Sequence, residues 1–568
     1  RLDDAYLTYH IRPPNPAFAL TELEVALNNV GREGVEKFEG RFAFKEEPVT
    51  FTGTAKAASG GDGVDLVVSL DSEKAKAALE GVAGGSGGDD LFNGEALVRL
   101  VEAGSALRWF GAGLEKDHPA LAGAMTLTGP MTLRRNEVRL RDVLFKSALA
   151  DGRGEVTADF SGSRAKLTGK VDWERLDLEG IAQPVRGPQA LAVVSRAATQ
   201  SQGLVIPSLW EELQTYLKSI EETGAAPRAA SIQPRRQDEA AAANPRRALP
   251  LPTRRPAIDL SFLDMVDFEI THRAARLKYN GFEMGDVQAD TALEAGRLAV
   301  RLKNALFASG RWTGAFDVDA RSTQPNLALK LTGTGVEAQR LQQATIGQST
   351  LTGRGDVRAD LEAKGRYAEQ LVKSLSGTIN VDIGEGRLVG YDLKAILTEF
   401  WKQWRYDTRR RTPFKKIGAR VRVDKGVIET IGYASLRGGE AELDSRGTVS
   451  LVAQSLNQRI RARLAWPPNQ LPLPARISGP WSSPKVSVDW GIFSVSPGFV
   501  DLPPGLRGEP GAEGRASFAP GPSAAATMPE NVARDIDRVL GKPEVAAKVP
   551  AKLRETLEVL ATRRGGVN

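Results

Sequence analysis

The stretch Leu375–Leu397, LSGTINVDIGEGRLVGYDLKAIL, alternates apolar and polar residues before it reaches two glycines. Strict alternation in a β-strand places Ile379, Val381 and Ile383 on one face and the polar residues between them on the other. The glycines indicate a turn, and a helix-like pattern follows. The segment therefore predicts a strand with one apolar face, and such a face has to be covered by something.

Composition and charge describe a folded chain without a concentrated basic element. The chain has 568 residues, of which 26% are charged and 41% belong to the apolar set. Its formal charge is +6, but Lys plus Arg (76) barely exceeds Asp plus Glu (70). A nucleic-acid-binding protein usually concentrates its basic residues on one element. Here they are scattered apart from a few Arg clusters, so we expect no nucleic-acid partner.

Cysteine and histidine usage argues against disulfides, metals and cofactors. The chain has no Cys, which excludes disulfides and thiolate ligands, and it has three histidines in three different segments: His10, His118 and His272. We therefore expect no metal site and no cofactor. No run of about 18 apolar residues indicates a transmembrane helix. Because the first residue is Arg rather than Met, we expect an N-terminal targeting or membrane segment to be missing from this chain.

Short alternating segments separated by turn residues dominate the sequence. Examples are Gly40–Ala57, Ala124–Phe145, Gly154–Trp173, Gly285–Phe307 and Gly418–Leu436. Turn residues at such regular spacing predict antiparallel meanders. The fold class predicted from the pattern is therefore mostly β, with either a closed β-sandwich or a curled open sheet as its architecture.

Helical patterns are few. Apolar residues at helical spacing predict helices over Gly94–Phe110, Ile206–Glu222 and Asp392–Tyr406. Near the C-terminus, Leu553, Leu557 and Leu560 fall on one stripe of a fourth helix.

Two segments have the composition of disordered linkers. Ala225–Pro256 is rich in Ala, Pro and Arg, and Ser496–Pro529 is similarly poor in large apolar residues. The linkers predict these limits: a first β module at 1–195, a helical insertion at 196–224, an Arg/Pro-rich linker at 225–256, a C-terminal β module at 257–490, a low-complexity linker at 491–530 and a helical tail at 531–568.

The two β modules resemble each other. Val138–Phe160, VRLRDVLFKSALADGRGEVTADF, resembles Val300–Ala320, VRLKNALFASGRWTGAFDVDA, and each continues into a segment containing LTG. This similarity predicts one β module that is used twice.

Several motifs, in this order, resemble one known family. They are EPVTFTG from Glu47, SALRWFG from Ser105, LTGKVDWERLDLEGI from Leu167, LSGTINVDIGEGRLVGYDL from Leu375, TPFKKIGARVRVDKGVI from Thr412, LDSRGTVSLVAQSLN from Leu443 and LPARISGPWSSPKVSVDW from Leu473. Together they resemble the AsmA family, membrane-anchored proteins of the Gram-negative envelope grouped with bridge-type lipid transporters. Two features depart from the family: its N-terminal transmembrane helix is not seen, and the Arg/Pro linker with its preceding helix has the character of an insertion.

The resemblance implies an open groove rather than a sandwich. It implies a long, curled antiparallel sheet with a few capping helices, whose apolar face holds acyl chains. The groove residues expected on this basis are Ile379, Val381, Ile383, Val421, Val423, Leu443, Val449 and Leu451.

The resemblance also implies a location and partners. The protein would lie in the periplasm, anchored in the inner membrane by the missing N-terminal helix. Its partners would be phospholipid and the inner and outer membranes, and its role would be phospholipid transport in support of outer-membrane biogenesis. Two alternatives remain: an assembly factor that acts on outer-membrane proteins through protein contacts, and a passive envelope scaffold.

The sequence motifs that could indicate catalysis are incomplete or lie in the wrong structural context. GGSGG at Gly84–Gly88 formally satisfies G-x-S-x-G, but it lies in a Gly-rich loop rather than between a buried strand and a helix. No dinucleotide-binding or P-loop pattern is complete. We therefore predict a protein that is not an enzyme.

The segment Leu397–Arg411, LTEFWKQWRYDTRRR, has the most unusual composition in the chain. Aromatic and arginine side chains together suit the headgroup layer of an anionic bilayer. The candidate membrane-contact residues are Phe400, Trp401, Trp404, Arg405, Arg409, Arg410 and Arg411. The alternative is a helix that caps one end of the sheet with its arginines solvated. The resemblance favours this alternative, because it implies a helix at this position between β motifs.

Overall fold

The computed structural model carries side chains and describes most of the β-rich parts of the chain. The described residues are 2–10, 17–28, 35–58, 63–84, 90–110, 123–162, 164–178, 209–223, 260, 263, 267–279, 282–346, 349–390, 392, 393, 395, 407–436, 441–451, 453, 455–464, 472–480, 485–488, 530–549, 551, 553, 554 and 558.

Most of the described residues lie in strands. The first eleven are β1 Leu2–His10, β2 Ala17–Asn28, β3 Glu36–Phe44, β4 Glu47–Ala57, β5 Val64–Asp71, β6 Ala75–Ala83, β7 Asp90–Leu100, β8 Met125–Arg134, β9 Glu137–Ser147, β10 Ala150–Asp159 and β11 Lys166–Asp177. The next six are β12 Asp267–Tyr279, β13 Phe282–Glu294, β14 Arg297–Phe307, β15 Gly310–Asp319, β16 Asn326–Glu337 and β17 Arg354–Lys364. The last eight are β18 Ser376–Ile383, β19 Gly386–Gly390, β20 Asp407–Asp424, β21 Val427–Leu436, β22 Ala441–Ser450, β23 Ser455–Leu464, β24 Pro472–Pro480 and β25 Lys485–Val488.

The helices are short. They are α1 Ala103–Phe110, α2 Leu209–Thr223, α3 Ala338–Ile346, α4 Ala368–Ser374, α5 Glu530–Leu540 and α6 Pro543–Ala546. No helix among the described residues has both the length and the apolar character needed to span a membrane.

The described strands belong to one mixed sheet, which confirms the mostly-β prediction and does not match a sandwich of two sheets. Consecutive strands pair as antiparallel meanders, for example β4 with β5 and β21 with β22. The sheet is antiparallel at most of the described pairs, as predicted, and one pair differs. β11 and β12 run parallel, with Leu167 beside Phe268 and Val171 beside His272. A parallel pair needs a long connection, and this one returns after the insertion at 178–266.

Two helix predictions can be compared directly with the structure. The predicted helix Gly94–Phe110 is wrong in its first half, because β7 extends to Leu100 and pairs with β6 and β8 on both sides. The predicted helix Ile206–Glu222 is confirmed as α2. Of the predicted helix Asp392–Tyr406, only its start is described: the Asp392 carboxylate accepts a hydrogen bond from the Ala395 N–H, as at a helix N-cap.

The chain divides into two compact units. Unit 1 comprises Arg1–Pro188, Pro256–Val336 and Arg358–Ser374, and unit 2 comprises Gln189–Arg255, Glu337–Val357 and Leu375–Asn568. The domain limits expected from the linkers stay a prediction. The linker 225–256 lies outside the described residues, as do Leu557 and Leu560 of the predicted C-terminal helix. In unit 2, α2 contacts both β25 and α6, so the inserted helix and the C-terminal helices meet at the last strand.

Side chains in unit 1 alternate between an apolar and a polar face. On β5, Leu66, Val68 and Leu70 are half-buried on one face, while Asp65 and Ser69 point to the other. The register continues the apolar face across neighbouring strands, because Leu70 pairs with Phe51 of β4 and Val68 pairs with Leu79 of β6.

Glycines on this apolar face allow neighbouring strands to approach closely. Gly81 and Gly94 lie directly opposite each other in β6 and β7. A Cβ atom at Gly81 would lie 2.3 Å from the Asn93 carbonyl oxygen, and one at Gly94 would lie 2.1 Å from that of Glu80. No side chain fits at such distances, so the two strands approach closely here.

Small elements cover parts of the apolar face of unit 1. The α1 helix packs Ala103 and Ala106 against Leu100 of β7. Elsewhere, the short segment at Leu263 packs on Leu293 and Val318. The covered parts form local cores, whereas the middle of β5 remains half-exposed.

Candidate functional site

The strand β18, which contains Ile379, Val381 and Ile383, lies in unit 2 and pairs with β20. Its register places Ile379 opposite Val421, Val381 opposite Ala419 and Ile383 opposite Ile417. Directly paired residues in a sheet point to the same face. The three predicted residues of β18 therefore share a face with Val421, which was predicted from a different part of the sequence.

The same face continues onto the next two strands. Val423 pairs with Ile428 of β21, and Ile428 pairs with Val449 of β22. Ala434 of β21 pairs with Leu443 of β22. Seven of the eight predicted groove residues thus lie on one face, which we call the unit 2 apolar face. The exception is Leu451, which follows the end of β22 in a turn, where its N–H donates to the Gly426 carbonyl oxygen.

The sequence prediction missed the outer part of this face. On β23, Leu456 pairs with Val449 and Ile460 pairs with Ser445. Beyond it, Gln458 pairs with Ile477 of β24. The alternation in QRIRARL at 458–464 contains this signal, but only the register shows that Ile460 belongs to the same face as Ile379.

Burial divides the unit 2 apolar face into closed edges and a half-open middle. Val423 is 3% exposed and Ile383 is 7% exposed, so both are core residues. Ile379, Val381 and Val421 lie between them and are half-buried.

A small hydrophobic core closes one edge of this face. Phe414, which is 1% exposed, packs with Ile383, Leu436 and Ala338 of α3. The Leu393 side chain, at the start of the next helix, also packs against this cluster. Among the described residues, helical side chains therefore cover this edge of the face, and Val381 also packs against the cluster.

Two of the polar side chains on the face, Thr430 and Gln458, bond to each other. Thr430 and Gln458 lie on either side of Gly447 in the register. The Thr430 hydroxyl donates to Gln458 Oε1 at 2.8 Å. Because the pair satisfies itself in part, the cost of keeping these groups away from water is reduced.

The opposite face of unit 2 is held together around Asp382. Arg420 Nη1 lies 2.9 Å from the Asp382 carboxylate, and Lys416 Nζ lies 3.8 Å from it. The Tyr433 hydroxyl also donates to Asp382. Burial alone would raise the pKa of Asp382, but the hydrogen bonds from Tyr433 and Arg420 and the two positive charges leave that pKa below its usual value.

Unit 1 contains a half-buried imidazole on its own apolar face. His272 of β12 lies between Trp173 of β11 and Thr291 of β13. Burial lowers the pKa of His272, and the nearby Asp290 only partly opposes this effect. All its ring nitrogens have partners, so the contacts describe a neutral structural histidine rather than a free general base.

The predicted membrane-contact segment is only partly described. Phe400, Trp401, Trp404 and Arg405 lie outside the described residues. Arg409, Arg410 and Arg411 lie at the start of β20 and not on a helix, because the register pairs this segment with β19. Arg410 makes a long ion pair of 3.8 Å with Asp407, and Arg411 is exposed. Contact of these residues with a membrane stays a prediction.

The described residues contain no group of three or more His, Asp or Glu side chains that could hold a metal ion. Ser86 of the GGSGG sequence lies outside the described residues. What the described site offers is thus an apolar surface backed by a charged one.

Comparison with known proteins gives one match. No curated protein and no solved structure matches the chain. The sequence profile of the AsmA family matches residues 197–432, a range that runs from α2 into β21 and includes the opening strand β18. The motifs that resemble this family and the single mostly-β sheet agree with this match. Residues 197–432 of the chain thus match the AsmA family.

Proposed function

We propose that the unit 2 apolar face binds the acyl chains of phospholipids, and that the protein carries or holds these lipids between the inner and outer membranes. The match of residues 197–432 to the AsmA family supports an envelope-associated role. The observation that carries the proposal is the row of half-buried apolar side chains across β18 to β24, closed at one edge by a core and open in the middle. A periplasmic location with an inner-membrane anchor is part of the same proposal.

The energetics of acyl chains favour such a surface. Burying one methylene group is worth about 0.8 kcal/mol, so a chain of about sixteen carbons exposed to water costs on the order of 12 kcal/mol. A continuous apolar strip recovers much of this energy only if it lacks unpaired polar groups. The bonded Thr430–Gln458 pair fits this requirement.

The test combines lipid content with position on the sheet. We expect the double variant Val381→Asp with Val421→Asp to lower the phospholipid that copurifies with the protein by at least about fivefold, measured by mass spectrometry of extracted lipids. Both side chains are half-buried, and Val381 also packs against the cluster around Phe414. We therefore expect some loss of stability, while the carboxylates turn toward solvent and the sheet remains folded.

The matched control places a carboxylate on the same strand but on the other face. Asn380 neighbours Val381 and pairs with Arg420, so Asn380→Asp should keep the full lipid content. A phospholipid carrying a photoactivatable group on its acyl chain should crosslink to Ile379, Val421 and Ile460. Unchanged lipid content in the double variant, or crosslinks mainly on the polar face, would refute the proposal. A variant that loses lipid but still supports envelope assembly would instead favour an assembly factor that works through protein contacts.

A further inference from the structure

An uncharged row of side chains crosses the polar face of unit 1. Directly paired residues of a sheet point to the same face, so the register defines the row. It continues from β4 to β9 without a gap and comprises Thr52, Ser69, Ala78, Leu97, Thr128 and Leu144. Neighbouring strands lie about 4.8 Å apart, so the row is about 24 Å long. We call it the neutral strip.

Large apolar side chains are exposed on and beside the neutral strip. Leu97 is 41% exposed and Leu144 is 43% exposed. Val67, which lies two residues before Ser69 on β5 and therefore on the same face, is 43% exposed. Singly exposed apolar residues are common on soluble proteins, whereas a contiguous apolar patch indicates an interaction site. These three residues are joined across the sheet by the uncharged side chains of the strip.

A cavity adjoins one end of the neutral strip. It has a volume of about 350 Å³, and Thr52 and Ser69 of the strip line it together with Val67. The residues that contribute most to protein interfaces are usually large side chains inserted into pockets of the partner. Because Lys37 and Glu39 also line the cavity, a side chain with an apolar body and a polar tip, such as that of Tyr, suits it best.

Charges of opposite sign lie on the two sides of the neutral strip. On β7, Leu97 lies between Glu95 and Arg99, each two residues away and therefore on the same face. On β6, Lys76 pairs directly with Arg99, and Glu80 pairs directly with Glu95. At these two strands the strip is therefore bordered by basic side chains on one side and by acidic side chains on the other.

The basic side keeps part of its charge. Lys76 Nζ lies 2.8 Å from the carboxylate of the last residue of β5, so its charge is compensated. Arg99 is exposed and forms no ion pair with another described residue. Lys146 of β9 lies in the same row, and its neighbour Asp151 on β10 is already paired with Arg175. Arg99 and Lys146 therefore supply the positive charge of this side.

The acidic side also keeps its charge. Glu80 and Glu95 are exposed, and within the described part of the chain neither forms an ion pair. Glu95 pairs with Pro130 of β8, which continues this side without charge. The irregular segment of β9 beyond it contains Arg141 and Asp142, one charge of each sign. The net negative charge of this side therefore comes from Glu80 and Glu95.

We propose that the neutral strip binds an amphipathic α-helix of a protein partner. Such a helix presents an apolar stripe, and at 1.5 Å per residue about 16 residues match the length of the strip. Acidic side chains on one side of the stripe face Arg99 and Lys146, and basic side chains on its other side face Glu80 and Glu95. Complementary charges across an interface fix its orientation and raise the association rate.

Other classes of partner fit the neutral strip less well. Glu80 and Glu95 would repel an anionic bilayer. A peptide strand adds to the unpaired edge of a sheet, whereas the strip crosses strands β5 to β8, which are paired on both sides. The strip belongs to unit 1, and the residues of the proposed function belong to unit 2. The two proposals can therefore fail independently.

The experiment measures binding of a synthetic peptide to the purified chain by fluorescence anisotropy. The matched peptide has about 16 residues, with an apolar stripe of Leu and one terminal Tyr, Glu along one side of the stripe and Lys along the other. We expect saturable binding, and at least about tenfold weaker binding of a scrambled peptide that has the same composition but no stripe. The variant Leu97→Asp with Leu144→Asp should bind the matched peptide at least about tenfold more weakly than the original chain does.

The matched control makes the same change at equally exposed apolar residues elsewhere. Leu306 is 44% exposed and Val427 is 41% exposed, so Leu306→Asp with Val427→Asp should bind the peptide within about twofold of the original chain. The variant Leu97→Ser with Leu144→Ser adds no charge and should weaken binding at least about threefold, which keeps the test valid if the Asp variant is unstable. Circular dichroism checks that each variant is folded.

An exchange of charge separates recognition from a structural effect. A helix turned end to end exchanges its two sides, so the comparison peptide carries Lys on both sides of the stripe. Arg99→Glu with Lys146→Glu leaves acidic side chains on both sides of the neutral strip. We expect this variant to bind the matched peptide at least about fivefold more weakly than the original chain does, and the Lys peptide at least about fivefold more tightly. A structural effect alone would weaken binding of both peptides.

The proposal is wrong if the matched peptide does not bind saturably, if the strip and control variants bind it equally, or if the exchange of charge does not favour the Lys peptide. Two further results would assign the neutral strip to another occupant and would also overturn the proposal. Self-association in sedimentation velocity that Leu97→Asp with Leu144→Asp abolishes would indicate a second copy of the chain. Cosedimentation with phosphatidylglycerol vesicles that the same variant abolishes would indicate a membrane surface.

Discussion

Trp173 Nε1 donates a hydrogen bond to His272 Nδ1, at 3.3 Å, across the parallel pair β11–β12. The two rings are also stacked, with centroids 6.5 Å apart and planes 20° apart. His272 Nε2 lies 2.8 Å from Thr291 Oγ1, whose own hydroxyl donates to the Ile270 carbonyl oxygen. Nε2 therefore carries the proton, and Nδ1 is unprotonated. These contacts fix one neutral tautomer, and a second proton on Nδ1 would face the Trp173 N–H.

Stability of the fold should decrease in mild acid because of this histidine. The pKa of His272 is lowered by burial, so the unfolded chain takes up the proton more readily than the folded chain. The contribution is complete above the ordinary pKa of about 6.5 and is lost as pH falls through the folded-state pKa. Each pH unit between the unfolded-state and folded-state pKa values corresponds to about 1.4 kcal/mol in the free energy of unfolding. Urea unfolding at pH 7.5 and at pH 5.0 measures the loss.

The variant His272→Asn removes the titrating group. We expect its stability to change less between pH 7.5 and pH 5.0 than that of the original chain, although it starts from a lower value. Equal pH dependence in the two proteins would show that other groups account for the acid sensitivity.

Two valines on β20 should respond differently to the same substitution. Val423→Asp buries a carboxylate at a residue that is 3% exposed. We therefore expect the free energy of unfolding to decrease by several kcal/mol and the protein to unfold. Val421→Asp, two residues earlier on the same face, is half-buried and should lower the melting temperature by only a few degrees. Thermal unfolding followed by circular dichroism separates them, and equal destabilisation would mean that the middle of the face is covered.

Gly94, where β6 and β7 approach closely, should not tolerate a methyl group. Gly94→Ala places a Cβ atom 2.1 Å from a carbonyl oxygen, so the two strands must separate, and we expect a loss of at least about 2 kcal/mol. Gly285→Ala on β13 meets its nearest atom at 3.8 Å and should be neutral or stabilising by up to about 1 kcal/mol. Chemical denaturation measures the free energy of unfolding of both variants. Similar values for the two would contradict the close approach of the strands at Gly94.

Tyr433 ties three strands together through Asp382. Loss of a hydrogen bond to a charged group costs about 1.5–3 kcal/mol, and partial exposure reduces this. We therefore expect Tyr433→Phe to destabilise the chain by about 1–2 kcal/mol. Tyr367 is 44% exposed, so Tyr367→Phe is the matched control and should change the unfolding free energy by less than about 0.5 kcal/mol. A negligible effect at Tyr433 would mean that Arg420 and Lys416 alone hold the carboxylate.

Local alternation was enough to predict which residues share a face, but not what lies beside them. Ile379, Val421 and Leu443 could be grouped because the period of a strand is two and turns separate the strands. The burial of Val423 could not be predicted, because it depends on where the edge of the sheet falls. Pairings between distant residues were equally hidden, since Arg446 and Arg459 are separated in sequence and lie side by side only through the register.

The prediction of a helix over Gly94–Phe110 is wrong in its first half for a related reason. Gly94, Ala96, Val98 and Leu100 also alternate, and strand pairing on both sides outweighs the helical spacing of Leu97 and Val101. The parallel pairing of β11 with β12 could not be read from the sequence either, because no local signal connects strands so far apart.

The parallel pair also sets an order of events during synthesis. β11 ends at Asp177 and its neighbour β12 begins at Asp267, so about 90 residues are translated before the free edge of β11 acquires its partner. At the usual rate of 5–20 residues per second, that edge stays unpaired on the nascent chain for roughly 5–20 s. An unpaired strand edge is a template for pairing with other chains. A longer insertion at this point would lengthen the exposed interval without disturbing the finished sheet, so its cost would appear as aggregation during expression rather than as lower stability of the folded protein.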